Sequence, residues 1–371
     1  MDPLKPRRAR RGSGAVTLHE VARLAGVAPI TASRALNKPQ LVSDEVRRKV
    51  AEAVAQTGYV PNLLAGGLAS TRSRLVAAVV PTLTGPVFLP TVAALTEALA
   101  AEGCQLMLGQ TGYDVAREDA LLEAIIGRRP DGLVLTGTLR SEAARRRLRA
   151  AGFPVVETWD LAGDPIDMLV GFSHEAVGRA VARHLHARGR RRLALIGGDD
   201  PRARRRAAAF ADEAARLGLD PVQAVEVPAP TTLRSGRAGL RQLLGGATGQ
   251  AGAGGTAGTP SITGTASTTG TTATAASAAR PDAVFCSSDL LALGVLLQAQ
   301  ADGLRLPQDL AVIGFGDLDF AADTLPALST VRIDGPTIGR HAAACIVARA
   351  GGDAGPRVID VGFRIVSRDS D

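Results

Sequence analysis

Beyond position 49 the chain contains no lysine. Lys5, Lys38 and Lys49 are the only three, and arginine carries the cationic charge everywhere else. A lysine Schiff base or a phosphate-loop lysine is thereby excluded from the rest of the chain. Cysteine is almost as scarce: Cys104, Cys286 and Cys345 lie far apart and form no CxxC pair. An odd, scattered set supports neither a disulfide framework nor a structural zinc site, and each reads as a small buried hydrophobe in a reducing cytoplasm. No apolar run approaches the ~18 residues that a membrane helix needs, so no membrane partner is expected. The basic start "KPRRARRGSG" is followed by "AVTLHEVARL", which carries charges where a signal peptide needs an apolar core. These absences together predict a cytoplasmic protein. The five histidines are dispersed, and His184 and His186, two apart on a helix, face different ways and make no metal pair. The acidic residues show no catalytic spacing. No catalytic residue, no metal and no cofactor is expected, and the chain is read as a non-enzyme.

What is present begins at "VTLHEVARLAGVAPITASRALN", residues 16–37. Thr17 and Glu20 form a capping box that starts a helix, with Val21, Leu24 and Ala25 on one face and Gly26 as its stop. Pro29 suits the first turn of a second helix, whose buried side is Ala32 and Leu36. Ser43 caps a third helix lined by Val46, Val50 and Val54 and ended by Gly58. Two short helices joined by a tight Gly turn and backed by a third have the spacing of a helix-turn-helix, which puts the second helix in the major groove of DNA. An ordinary trihelical bundle has the same spacing. The net charge of +7 favours a polyanionic partner.

From Leu75 the pattern changes. "LVAAVV", "CQLMLG", "GLVLTG" and "PVVET", then "RRLALIGG", "AVFCSSD" and "LAVIGFGD", are strand-like runs separated by helical segments. Such alternation predicts parallel sheets with right-handed crossovers, and two sets with a ligand at their carboxyl ends make a two-lobed binder. The 371 residues, 46% of them hydrophobic, are enough for several buried cores. The expected fold is an all-α helix-turn-helix headpiece followed by an α/β two-lobed domain of parallel sheets flanked by helices. One tract breaks the order. Of the 35 residues 245–279, 32 are Gly, Ala, Thr or Ser and none is charged, which predicts a disordered insert. Its weak G-x-G-x-x-A match at Gly252, Gly254 and Ala257 follows no strand and reads as chance.

The segment "VTLHEVARLAGVAPITASRALN", continued by "VSDEVRRKVAEAVAQTGYVPN" and "LAGGLAS", resembles the DNA-binding headpiece of the lactose-repressor (LacI/GalR) family of bacterial transcription regulators. The likeness runs over nearly the whole chain, except the first 14 residues and the insert. It implies a disordered basic tail over 1–14, a helix-turn-helix over 15–61, a hinge over 62–74 and an effector-binding and dimerisation domain over 75–371. The chain is expected to cross between lobes near Gly171, Gly316 and Asp334, giving a first lobe of about 75–170 and 317–333. The second lobe is then about 171–316 and 334–371.

By position, the resemblance gives Pro29 and Ile30 the places that select operators, and Arg34 that of an arginine reading guanine bidentately. Thr17, Ser33 and Asn37 match positions that hold phosphates. Pro29 and Ile30 have no side-chain donors, so readout there rests on thymine methyls or shape; Ala28 stands where Ser or Thr is the commoner cap. In the hinge, Leu68 matches a leucine wedged into the minor groove, with Asn62 and Ala65 supporting it. Gly66 and Gly67 each cost a helix ~1 kcal/mol relative to Ala, so this hinge should fold only on its operator.

The same resemblance places effector contacts at Thr82, Phe88, Arg206 and Asp289, although Asp289 could instead only cap the following helix. "LTEALAAEGCQLMLGQTGYDVAREDALLEAIIGRRPDGLVLTG" and "PVVETWDLAGDPIDMLVGFSHEAVGRAVARHL" resemble the gluconate-operon repressor branch, which implies a sugar-acid effector gripped by an arginine. The implied partners are a pseudo-palindromic double-stranded operator, that effector, and a second copy in a homodimer. The closing "RVIDVGFRIVSRDSD" carries no leucine heptad, so the dimer is the expected limit. A periplasmic-type sugar-binding protein, or a regulator responding to a neutral sugar or a nucleobase, shares the two-lobed body; a sugar-acid enzyme would need a catalytic group that the chain does not offer.

Overall fold

The computed structural model describes residues 16–60, 73–137, 141–161, 163–245, 280–353, 355 and 357–371. The chain divides into two compact units, Met1–Ser73 and Arg74–Asp371.

In the first unit, α1 (Leu18–Leu24) starts on Thr17, whose hydroxyl accepts from the Glu20 N–H while the Glu20 carboxylate accepts from the Thr17 N–H at 2.6 Å. Gly26 turns the chain in the left-handed region at φ +67, open to L side chains only at a cost. α2 (Pro29–Asn37) then begins on Pro29, with no side-chain cap at Ala28. α3 (Asp44–Thr57) starts under the Ser43 hydroxyl and ends on Gly58 in the left-handed region. The core of this unit is small residues: Val21, Ala22, Ala25, Ala32, Ala35, Val50 and Ala53. Two expectations need correcting. Leu24 is 51% exposed and Ala22 takes the inward position, while on α2 the fully buried partner of Ala32 is Ala35 and Leu36 is half-buried. Alanines let short helices approach closely, and the larger leucines are displaced to the rim.

The second unit opens with β1 (Leu75–Val80), α4 (Leu89–Ala101), β2 (Gln105–Gln110), α5 (Val115–Ile126), β3 (Gly132–Thr136), α6 (Glu142–Ala151), β4 (Val155–Thr158) and β5 (Met168–Gly171). There follow α7 (His174–Ala187), β6 (Leu193–Gly198), α8 (Pro201–Arg216), β7 (Gln223–Val227), α9 (Leu233–Gly245), β8 (Ala283–Cys286), α10 (Asp289–Ala301) and β9 (Ala311–Phe315). The last elements are β10 (Ser329–Arg332), α11 (Gly335–Ala350), β11 (Val358–Asp360) and β12 (Arg364–Val366). Two six-stranded sheets result, ordered β11-β5-β4-β3-β1-β2 and β12-β10-β9-β8-β6-β7. Among the described residues all pairings are parallel except β10 with β12. Central strands such as β6, β8 and β9 are buried along their whole length, as parallel strands covered on both faces must be, whereas edge strand β2 is partly exposed.

β5-β4-β3-β1-β2 and β10-β9-β8-β6-β7 are the same order twice. In each, the strand order reverses beside the first strand, at β1/β3 and at β6/β8, and such a switch point opens a crevice at the carboxyl ends. The lobes differ from the expected boundaries. Gly316 is no crossing: its N–H donates to the Val331 carbonyl at 2.9 Å, and β10 pairs with β9. Residues 317–333 therefore belong to the second lobe. α11 packs on α4, and β11 pairs with β5, so 335–360 belong to the first lobe. The chain passes between lobes after Gly171, after Arg332 and between Asp360 and Arg364. The Gly-rich "GFGD" imitates an exit, but Gly316 at φ +129 and Asp317 at φ 52 fold the chain back onto its own sheet.

Apolar clusters line both faces of the sheets. One covers the outer side of the first lobe through Leu122, Ile125 and Leu148, and another covers the second lobe through Leu240, Leu243, Leu291 and Val295. The largest runs through both lobes and includes Val76, Leu95, Val181, Phe285 and Ile338. Two helix pairs on this side pack backbone against backbone. A Cβ on Gly178 would collide with the Arg206 carbonyl and lie 2.9 Å from the Phe210 nitrogen; one on Gly339 would collide with the Thr91 carbonyl and lie 2.9 Å from the Leu95 nitrogen. No described helix is long and apolar enough to cross a membrane.

Candidate DNA-binding face and effector cleft

On α2 the buried residues Ala32 and Ala35 leave the opposite side to solvent. That side carries Pro29, Ile30, Arg34 and Asn37, with Ser33 half-buried among them, and Ile30 is 61% exposed. The Asn37 amide donates to the Ser33 carbonyl at 3.1 Å and to its hydroxyl at 3.4 Å, which fixes both side chains. Among the described residues the Arg34 guanidinium has no hydrogen bond or ion pair. Thr17 is committed to its capping box, but its hydroxyl stays exposed at the amino end of α1. The structure therefore gathers Ile30, Ser33, Arg34 and Asn37 on one helix face, with an aliphatic tip, an unpaired cation and an ordered amide. Asn62, Ala65 and Leu68 lie outside the described residues, as do 1–14 and nearly all of the tract 245–279.

In the second unit the two switch points face each other and enclose a cavity of about 720 Å³, its open mouth included. Thr82, Val87 and Phe88 reach it from the loop after β1, Tyr113 from the loop after β2, and Trp159 from the turn after β4. The second lobe contributes His174, Asp200, Arg202, Arg206, Ser287, Ser288 and Phe315. Tyr113 and Trp159 are held at φ 64 and φ 65. Left-handed backbone at bulky residues costs on the order of 1–3 kcal/mol and gathers at functional sites.

The cavity floor is charged. Arg206 is 5% exposed. Its Nη1 donates to His174 Nδ1 at 2.9 Å, its Nη2 donates to the Ser287 carbonyl at 3.1 Å, and its guanidinium lies 4.0 Å from the centre of the Phe315 ring. Burial pulls Arg206 down to about 10, with Asp200 opposing, so it stays cationic at neutral pH. His174 is pushed well below the ordinary imidazole range by burial first and then by Arg206, Arg202 and Arg205. A neutral ring fits its partners: Nδ1 accepts from Arg206, and Nε2 donates to the Trp159 carbonyl at 2.9 Å. Asp200 caps α8 by accepting from the Arg202 and Ala203 N–H groups, each at 3.2 Å. Burial would raise its carboxyl, but Arg202, Arg206 and those two N–H groups together hold it low. Arg202 lies 5.3 Å from the Phe88 ring centre, and Phe88 packs edge-on against Trp159 at 5.0 Å. Two buried nitrogens here, Arg206 Nε and Arg202 Nη1, have no hydrogen-bond partner among the described residues. A buried unmatched donor costs ~1–3 kcal/mol, more when charged.

Comparison with known proteins bears on both units. Residues 17–62 match the model described as bacterial regulatory proteins of the lacI family. Residues 73–242 match the periplasmic binding proteins and sugar binding domain of the LacI family, and 182–370 match a periplasmic binding protein-like domain. The transcriptional regulator GntR of Pseudomonas aeruginosa is 37% identical over 363 residues, 97% of either chain. The chain belongs to the LacI family. It is a DNA-binding transcriptional regulator of that family. Among solved structures, a LacI-family regulator from Silicibacter pomeroyi covers 96% of this chain and 99% of its own, at 30% identity and a TM-score of 0.82. The regulator GntR from Chromobacterium violaceum covers 80% and 98% respectively, at 31% identity and a TM-score of 0.69.

Against the LacI-family expectations, Thr82, Phe88 and Arg206 are on the cavity wall and Asp289 is not. Asp289 is fully buried beneath the cleft. Its carboxylate accepts from the Thr330 hydroxyl at 2.6 Å and the Leu318 N–H at 2.7 Å, tying α10 to β10 and to the turn after β9. Nor does it cap α10, since the Ser288 hydroxyl takes that role. Tyr113, Trp159, His174 and Arg202 went unread in the sequence. Trp159 is the chain's one tryptophan, and every one of these residues stands just beyond a strand's carboxyl end or in the first turn of the helix that follows, the signal that could have found them.

Proposed function

We propose that this regulator is a repressor that answers to a gluconate-like sugar acid, held in the cleft with its carboxylate on Arg206 and Arg202. The observation that carries this reading is the pair of guanidiniums, Arg206 and Arg202, that line the cavity beside the Phe315 and Phe88 rings. Two guanidinium groups suit a carboxylate through charge-assisted bonds, and the Trp159 and Phe88 rings suit the carbon backbone of a polyol. The name GntR on relatives at 37% and 31% identity is in keeping with it. On the DNA side, Arg34 reads a guanine, Pro29 and Ile30 select by apolar contact, and Thr17, Ser33 and Asn37 hold phosphates. Asn62, Ala65 and Leu68 are assigned to the minor groove. One headpiece reads too few base pairs for genomic selectivity, so the working form is a homodimer on a pseudo-palindrome in the cytoplasm. A Lac repressor structure described as a dimer bound to operator shares this fold, with a TM-score of 0.76 at 24% identity.

Because Trp159 is the chain's one tryptophan and lines the cavity, its fluorescence reports occupancy directly. Titration with gluconate should change the emission saturably, whereas glucose should not at the same concentrations. Arg206→Lys, which keeps the charge but loses the fork, should weaken the response at least tenfold. A response to glucose equal to that to gluconate would replace the acid reading with the neutral-sugar one.

A further inference from the structure

A second chamber adjoins the first. It encloses about 870 Å³, its mouth included, and shares Tyr113, Asp200 and Arg202 with the first as a common wall. Thr111 and Thr136, at the carboxyl ends of β2 and β3, line this chamber and not the other. Arg202 is the gatepost. Among the described residues its Nη1 has no hydrogen-bond partner, and it lies 3.3 Å from where a Cβ on Gly137 would stand, so a side chain at that position would crowd the guanidinium.

The chemistry of the two chambers differs. The first places aromatic rings around Arg206. The second is lined by the carboxylates of Glu118, Asp160 and Asp200 and by the guanidiniums of Arg202 and Arg205. Arg205 pairs with Asp160 across the lobes and approaches Glu175 at 3.6 Å. A second full charge of either sign would meet like charge in such a wall, and a phosphate would face three carboxylates against two guanidiniums. A neutral hydroxyl-rich group carries both donors and acceptors, so it suits a wall of mixed charge, donating to remaining carboxylate lone pairs and accepting from the guanidiniums and threonines.

We propose that the second chamber is a subsite for a neutral glycosyl unit, so that the preferred effector is a glycosylated aldonic acid rather than the bare six-carbon acid. The acid end occupies the first chamber, Arg202 sits at the junction, and the sugar unit fills the second. The inference rests on the sugar-acid reading of the first chamber and extends it to the class of acid.

Calorimetric titration of the full chain with gluconate, lactobionate (gluconate carrying a galactosyl unit), lactose and 6-phosphogluconate tests it. Lactobionate should bind at least fivefold tighter than gluconate, and 6-phosphogluconate more weakly than gluconate. Thr136→Tyr should fill the second chamber and bring lactobionate down to the affinity of gluconate, leaving gluconate unchanged. Thr136→Gln provides a milder obstruction with the same direction should the tyrosine variant not fold. Gluconate binding without the fivefold gain, or an equal loss of both acids in the Thr136 variant, overturns the subsite while leaving the acid reading standing. Binding of lactose with no binding of either acid overturns both.

Discussion

Arg34 stands on the solvent face of α2 with no partner among the described residues, so truncation removes nothing from the fold. Arg34→Ala should weaken operator binding by ~1–3 kcal/mol and relax discrimination at one base pair, with the melting temperature unchanged. Anisotropy titrations on single-base operator variants measure both effects, and wild-type affinity would remove the assigned role. Asp289 is the opposite kind of residue. Burial pushes its carboxyl up to about 6 from the ordinary 3.8, against the pull of the bonds from Thr330 and Leu318. Its folded pKa lies above its unfolded one, so the folded state holds the proton more tightly, and this contribution to stability falls as pH rises from about 4 to about 6. The stability of Asp289→Asn relative to wild type should therefore grow across that window, by roughly 3 kcal/mol, in urea unfolding at a series of pH values. A difference that does not vary with pH contradicts the buried-carboxylate account.

Helix packing sets where the cleft residues stand. α7 meets α8 at Gly178, against the Arg206 carbonyl itself, so this contact fixes the guanidinium that faces the ligand. Gly178→Ala should cost ~1–3 kcal/mol by overpacking and also weaken gluconate binding, because Arg206 must move with its helix. Gly339→Ala, in the corresponding α4–α11 contact of the first lobe, should cost similar stability and spare effector affinity. Denaturation and Trp159 fluorescence on both variants separate the two effects. The elements themselves were legible where local rules act alone. Thr17 with Glu20, Ser43 and Gly58 announce the ends of the headpiece helices, and apolar runs announce the buried strands. What could not be read were matters of tertiary geometry. Leu24 against Ala22 depends on how closely α1 meets its neighbours, and the pairing of His174 with Arg206 joins residues from two helices. Asp289 was misplaced for the same reason: a carboxylate at the start of a helix reads alike whether it points into a cleft or beneath it.

At the scale of the molecule, the two sheets repeat one strand order, and their switch points face each other across three crossings. The resemblance of the sequence to the LacI family gave this body plan but not its last turns. The chain returns to the first lobe after Arg332 rather than at Gly316, because β10 is needed beside β9 before α11 can reach α4. Trp159 and Asp160, both from the first lobe, meet His174 and Arg205 of the second, so anything that fills the cleft acts on both lobes at once. A ligand shifts such an equilibrium only by its differential affinity for the two arrangements. The most direct test is operator affinity, measured by anisotropy on a footprinted site, with and without saturating acid. Gluconate or its glycosylated form should change the dissociation constant at least tenfold in the wild type, and Arg206→Lys should need at least tenfold more acid for the same change. An operator affinity that stays constant while Trp159 fluorescence shows the acid bound would contradict the account.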